Sequence, residues 1–182
     1  MESSLETDRL LLRRFTDADL DNLVDLDSDP EVMRYLTGGK PTSREKITSR
    51  VLPRFIDHPD QFWAAVDKAS GEFLGWFALS VEPGDDPGDV ELGYRLRRFA
   101  WGSGYATEGS RALVDHAFAK LGVSRVYAET MYVNTGSRRV MEKSGLRYVR
   151  TFHQHFKNPI PGTEHGEVEY ELRRSDWRPD SR

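Results

Sequence analysis

No cysteine occurs among the 182 residues. That excludes disulfides, thiolate nucleophiles and Cys-based metal sites, and it fits a reducing compartment. Long hydrophobic runs are missing too: no apolar stretch approaches the roughly 20 residues that a membrane-spanning helix needs. The opening Met1-Glu2-Ser3-Ser4-Leu5-Glu6 is polar and acidic, unlike a signal peptide, so the cytoplasm is the expected setting. There is no excess of basic residues. Lys and Arg number 26 against 30 Asp and Glu, a net charge of −4, which argues against nucleic-acid binding by a basic surface. No repeat and no low-complexity segment appears. What is present suits one domain spanning residues 1–182: moderate apolar content and enough aromatics, 11% of residues, to fill a core.

The pattern of elements is mixed α/β. Thr7 to Phe15 reads as a first strand, and Leu20, Leu23, Val24 and Leu26 fall on one helical face. Thr42 or Ser43 opens a second helix, which Pro53 bends or ends early. Phe62–Lys68 and Phe73–Val81 flank the turn Ala69-Ser70-Gly71 and read as a hairpin. Strands follow at Val90–Leu96, Val123–Val133, Leu146–Phe156 and Val168–Arg174, with helices from about 104 to 121 and from Asn134 to Lys143. Gly122 suits a helix C-cap.

The most informative stretch is Trp101-Gly102-Ser103-Gly104-Tyr105-Ala106-Thr107-Glu108, between a strand and a helix. Glycine lets a phosphate approach the backbone closely, and the first amides of a helix have no internal partner. With the positive end of the helix dipole behind them, they form an anion site. A ligand bearing a pyrophosphate is expected there.

Here the chain resembles the GCN5-related N-acetyltransferase (GNAT) superfamily, in the branch that acetylates the N-termini of ribosomal proteins. The resemblance rests on four pieces in order: Thr7–Arg13 (TDRLLLR), Trp101–Glu108 (WGSGYATE), Asn134–Ser137 (NTGS) running into Glu142–Leu146 (EKSGL), and Tyr170-Glu171-Leu172 with Trp177. It implies a mixed, mostly antiparallel sheet of six or seven strands with a splayed parallel pair, flanked by about four helices. It also implies acetyl-CoA as co-substrate and an amine acceptor, with pantetheine between Val90–Leu96 and Val126–Val133. Backbone groups near Tyr94 to Leu96 would hold the thioester carbonyl, the loop Phe99 to Gly104 the pyrophosphate, and Asn134 the pantetheine arm. A homodimer is a family-level expectation. The chain departs from the family at two positions. Phe99 stands where the loop often begins with Gln or Arg, and Arg98 precedes it. Met141 stands where many relatives carry a tyrosine that protonates the leaving thiolate, and methionine cannot donate a proton. In the ribosomal-protein branch the serine of Asn-x-x-Ser is the proposed substitute, and Ser137 holds that position.

Transfer from a thioester to an amine needs a neutral amine, donors for the tetrahedral oxyanion and help for the leaving thiolate. The candidate catalytic residues are therefore Glu91, Ser137, His153 and His155. The two histidines lie two apart on an expected strand and so share a face. No third ligand accompanies them, and no metal is expected. The plain alternatives are a solvent-facing strand carboxylate and two exposed histidines. The cofactor-binding set is Tyr94, Leu96, Arg98, Trp101, Gly102, Ser103, Gly104, Tyr105, Ala106, Thr107, Asn134, Ser137, Arg139 and Lys143. Asn134 also suits a helix N-cap, and Arg138, Arg139 and Lys143 suit either CoA phosphates or a solvated helix face. Trp101 is expected to pack beneath the loop, and Tyr105, Leu113 and Phe118 to be core. Asp25, Asp27, Asp29 and Glu31 suit either attraction of a cationic acceptor or a solvated helix end.

The reading is an acetyl-CoA-dependent N-acetyltransferase acting by direct attack in a ternary complex. The acceptor is a protein N-terminus, a lysine or a small amine. The alternative is a non-catalytic acyl-CoA-binding module. A Rossmann-type nucleotide binder is disfavoured, because Gly102-Ser103-Gly104 lacks the third glycine and the ribose-binding acid.

Overall fold

The computed structural model describes residues 4–179. Met1 to Ser3, which belong to the polar opening read above, lie outside the described residues. Among the described residues there are eight strands, one more than the upper expectation; numbered along the chain, they lie in the order 1-2-3-4-5-6-8-7 in a mixed sheet. The described residues divide into two compact units, 4–78 with 94–109, and 79–93 with 110–179.

The first unit opens with β1 (Ser4–Glu6) and β2 (Leu10–Arg13), an antiparallel hairpin rather than one strand. Thr7 breaks the run. Its amide donates to the Leu10 carbonyl at 2.9 Å, and its hydroxyl accepts from the Leu10 amide at 2.9 Å. These reciprocal bonds close a turn that strand alternation does not reveal. A 3-10 turn then leads into α1 (Leu20–Ser28). Buried Asp19 accepts from the Thr16 amide and holds Arg13 through two bonds of 2.8 and 2.9 Å. Together these contacts hold the Asp19 carboxyl below its usual range, against the burial that would raise it.

The short α2 (Arg34–Thr37) ends at Gly38, and Ser43 caps α3 (Arg44–Lys46). A wide π-type stretch, Ile47–Val51, joins α3 to α4 (Leu52–Asp57). Pro53 therefore does not end the helix: it falls in the first turn of α4, where a missing N–H costs little. β3 (Phe62–Asp67) and β4 (Phe73–Ser80) form the expected hairpin. The core gathers Phe15, Leu23, Leu26, Met33, Ile47, Phe55 and Phe62. Phe55 stacks at 4.5 Å on Phe62 and meets Trp76 edge-on at 5.3 Å.

In the second unit, β5 (Asp89–Leu96, continuing into the first unit) pairs in parallel with β6 (Arg125–Met131). The register joins Asp89, Val90 and Glu91 to Arg125, Val126 and Tyr127. β8 (Glu167–Arg173) pairs antiparallel with β6 and with β7 (Arg147–Phe152). α5 (Tyr105–His116) begins in the first unit and continues as a wide turn to Gly122, whose φ of 68° matches the expected cap. α6 (Thr135–Lys143) follows Asn134. Val126, Ala128, Val168 and Tyr170 are buried, as are Leu113, Phe118 and Met141 of the helical segments. No helix among the described residues is long and apolar enough to cross a membrane.

Candidate functional site

In the first unit the glycine stretch is a turn between β5 and α5. Gly102 and Gly104 have φ of 73° and 84°, a region that favours glycine. A Cβ at Gly102 would meet nothing within 4 Å, so the backbone there is open to a ligand. The Glu108 amide donates to the Gly104 carbonyl at 3.0 Å. The amides of Tyr105, Ala106 and Thr107 precede it and have no acceptor within the helix. An anion fits this arrangement without any side chain.

The expected neighbours of the loop fall differently from their sequence reading. Trp101 does not pack beneath it. Its side chain is exposed, and its indole N–H donates to the Leu96 carbonyl at 2.9 Å, bracing the loop against the end of β5. Tyr105 is not a core residue either. Its hydroxyl donates to Asp67 at 3.2 Å, and the Arg9 guanidinium lies 4.2 Å over its ring. Arg98 forms an ion pair with Asp29 at 3.0 Å. Tyr94 and Leu96 lie on β5 immediately before the loop, Leu96 buried.

The acidic run at the end of α1 is not merely a solvated helix end. Asp27 is buried and pairs with Arg95 at 2.7 Å, while Asp25 lies 3.8 Å from Arg97. Three successive alternate acids thus meet three arginines of β5 and the residues after it. Asp25, Asp29, Arg97, Arg98 and Phe99, with Leu26 and Val32, line a cleft of about 280 Å³.

In the second unit Asn134 caps α6. Its side-chain oxygen accepts from the Ser137 amide at 3.3 Å, and its side-chain amide donates to the Thr130 hydroxyl at 3.1 Å. Ser137 is half-buried in the first turn. Arg138 donates to the Tyr170 hydroxyl and to the Tyr132 carbonyl, so it is a tie within the fold. Arg139 and Lys143 are exposed. Lys143 lines a second cleft, of about 330 Å³, together with Arg111, Arg147 and Trp177. Met141 is buried, which explains an apolar residue at that position.

Glu91 lies opposite Tyr127 in the parallel register; burial first, then the hydrogen bond to Asp85, then the charge of Glu91 raise the Tyr127 phenol above its usual range. The expectation for the histidines fails. β7 ends at Phe152, so His153 and His155 lie beyond it and do not share a strand face. The strand ends with its partner: Phe152 pairs with Glu167, the first residue of β8, and Gly166 before it has a φ of 83°, outside the strand region.

The sequence reading missed the carboxylates of β6 and β8. Glu129 sits opposite Glu169, and Glu167 opposite Met131. Burial first, then Glu169, raises the Glu129 carboxyl above its usual range. Burial first, then Glu129, does the same to Glu167. Neighbouring Glu171 goes the other way: burial opposes ionisation, but Arg125 and Arg173 hold it lower. Arg125 itself is enclosed by Asp89 at 3.0 Å, Glu171 at 2.5 Å and Glu169. The signal was in the sequence as Glu-x-Glu-x-Glu over 167–171, a period that puts three acids on one face. A carboxylate with a raised pKa is the stronger base toward an ammonium group.

Residues 9–147 match the family model described as an acetyltransferase (GNAT) domain. The chain is 40% identical over 160 residues to an Aspergillus fumigatus protein named FsC-acetyl coenzyme A-N(2)-transacetylase, covering 84% of this chain and 68% of that one. Its fold is similar to a GCN5-related N-acetyltransferase from Brucella melitensis, with a TM-score of 0.78, 25% identity and coverage of 97% and 81%. It is also similar to a spermidine N-acetyltransferase from Vibrio cholerae in complex with CoA and spermine, with a TM-score of 0.77, 17% identity and coverage of 93% and 98%. That last likeness speaks to fold alone.

Proposed function

We propose that this chain, which belongs to the acetyltransferase (GNAT) family and is an acyltransferase, moves an acetyl group from acetyl-CoA to a primary amine by direct attack. The observation that carries the reading is the glycine turn, which leaves the Tyr105, Ala106 and Thr107 amides without helical acceptors. In the proposal these amides take the diphosphate, with Gly102, Ser103 and Gly104 lining its approach. Tyr94 and Leu96 offer backbone groups for the thioester. Asn134 serves the pantetheine arm, and Arg139 and Lys143 the phosphates.

The amine must lose a proton and the thiolate gain one. Ser137 is the proposed donor to the thiolate. Glu91 remains a candidate base, joined by Glu129 and Glu167, whose environments make them proton acceptors at a higher pH than an ordinary glutamate. His153 and His155 stay on the candidate list individually, without the shared-face argument.

For the acceptor, the 40% identical relative favours a small molecule, since that protein is named for acetylating an N(2) nitrogen. Protein N-termini and lysines belong in the same test. Release of free thiol from acetyl-CoA, measured across N-terminal peptides, lysine peptides, polyamines and small α-amines, selects among them. Binding of CoA with no thiol released above background for any amine would instead mark a non-catalytic acyl-CoA-binding module.

A further inference from the structure

The opening motif Thr7-Asp8-Arg9 has no part in the chemistry above, yet it closes on the glycine turn within the first unit. Glu108, in the first turn of α5, accepts from the Thr7 hydroxyl at 2.6 Å and from the Arg9 amide at 2.9 Å. Its other oxygen accepts from the Arg9 side chain at 2.7 Å. A second nitrogen of the same guanidinium donates to the Ser103 carbonyl at 2.8 Å. Its third lies where a Cβ on Gly104 would come within 3.4 Å. Burial opposes ionisation of Glu108, but the donors from Thr7 and Arg9 hold its carboxyl below the usual range.

This arrangement has a directional consequence. In a trans peptide the carbonyl and the following N–H point opposite ways. No peptide bond among the described residues is cis. With the Ser103 carbonyl drawn toward Arg9, the Gly104 amide is turned away from the guanidinium. We propose that Thr7, Arg9 and Glu108 form a latch that fixes the Ser103–Gly104 peptide plane and so positions the loop for the CoA diphosphate. Arg9 is thus a positioning residue. The guanidinium suits the task because its planar fork serves a carboxylate and a carbonyl in fixed directions, which an ammonium group does not. The positive charge behind the loop is balanced by Glu108, so the latch supplies orientation more than field.

The inference rests on the diphosphate reading above, and its test separates the two. CoA is titrated calorimetrically into full-length wild type, Arg9→Met, Arg9→Lys and Glu108→Gln, with the melting temperature of each recorded. The expected result is a Kd for CoA raised by about tenfold or more in Arg9→Met, the scale of one charge-assisted hydrogen bond, with stoichiometry kept at one. Arg9→Lys loses affinity to a similar degree, because charge without the fork does not hold both oxygens. Glu108→Gln, which keeps the shape of the side chain, loses less. Wild type that takes up no CoA overturns the diphosphate reading and the latch with it. Wild type that binds CoA while folded Arg9→Met binds within twofold of it overturns the latch alone. Full affinity in Arg9→Lys also overturns it, by showing that charge and not orientation is what counts. Should Arg9→Met fail to fold, Arg9→Lys decides, and wild-type affinity in that variant overturns the latch.

Discussion

Gly109 offers a case in which two effects of known size oppose each other. It lies inside α5, where alanine is favoured over glycine by about 1 kcal/mol. Helix propensity alone therefore predicts that Gly109→Ala stabilises the protein. The packing says otherwise. A Cβ on Gly109 would lie 2.2 Å from the Phe77 ring tip and within 2.7 Å of two more ring carbons. Ordinary carbon contacts are about 3.5–4.0 Å, so ring and helix must part by more than an ångström. Phe77 is fully buried and has Tyr94 against it at 6.2 Å between centroids, so it cannot swing clear. Overpacking of this kind costs about 1–3 kcal/mol, and the depth of this overlap puts it at the upper end. The net is a loss of about 2 kcal/mol, or a fall in Tm of about 4–8 °C for a chain of this length. Differential scanning calorimetry of Gly109→Ala reads it directly. Adding Phe77→Leu to Gly109→Ala should cost less than the two single losses summed, by about 1 kcal/mol or more of coupling. A Tm at or above wild type for Gly109→Ala would refute the packing argument and leave propensity in charge.

Three further outcomes are expected. Gly102→Val should weaken CoA binding sharply, since it adds about 1–2 kcal/mol of left-handed backbone strain and a side chain on the open face of the loop; an unchanged Kd would remove the diphosphate from this loop. Arg125→Met should destabilise by about 3 kcal/mol, because Asp89, Glu169 and Glu171 would be left facing one another, and a loss below about 1 kcal/mol in chemical denaturation would show that solvent already screens them. The third concerns pH. Burial and Glu169 raise the Glu129 carboxyl, so the folded protein binds a proton that the unfolded chain releases. The stability at this site is therefore complete below the ordinary glutamate value of 4.5 and is lost as pH rises through the higher folded value. Glu129→Gln should then raise Tm at pH 8 and leave it unchanged near pH 4, whereas an equal gain at both pH values would contradict the titration.

The glycine turn was legible in the sequence because it depends on a local property. Only glycine adopts the φ of Gly102 and Gly104 without strain, and the helix that follows is marked by its own periodicity. The Gly122 cap, the turn at Ala69–Gly71 and the order of strands and helices were legible for the same reason. The hairpin at Thr7 was not, because one side-chain hydrogen bond decides it and alternation does not report that bond. Pro53 does not end the helix, because a wide helical turn ahead of it makes its missing N–H harmless.

What only the tertiary structure decided are the pairings of residues far apart in the chain. Glu108 meets Thr7 and Arg9 across about a hundred residues, and Asp27 meets Arg95 across nearly seventy. Those partners decide whether an acid is a solvated helix end, a buried half of an ion pair or the anchor of a loop. The same holds for Glu129 and Glu171. Burial and the facing Glu169 raise the first carboxyl above its usual range, while burial opposes ionisation of the second but Arg125 and Arg173 hold it lower. Local backbone preference is written residue by residue and can be read in order, whereas the field at a carboxylate is set by neighbours that only folding brings within reach.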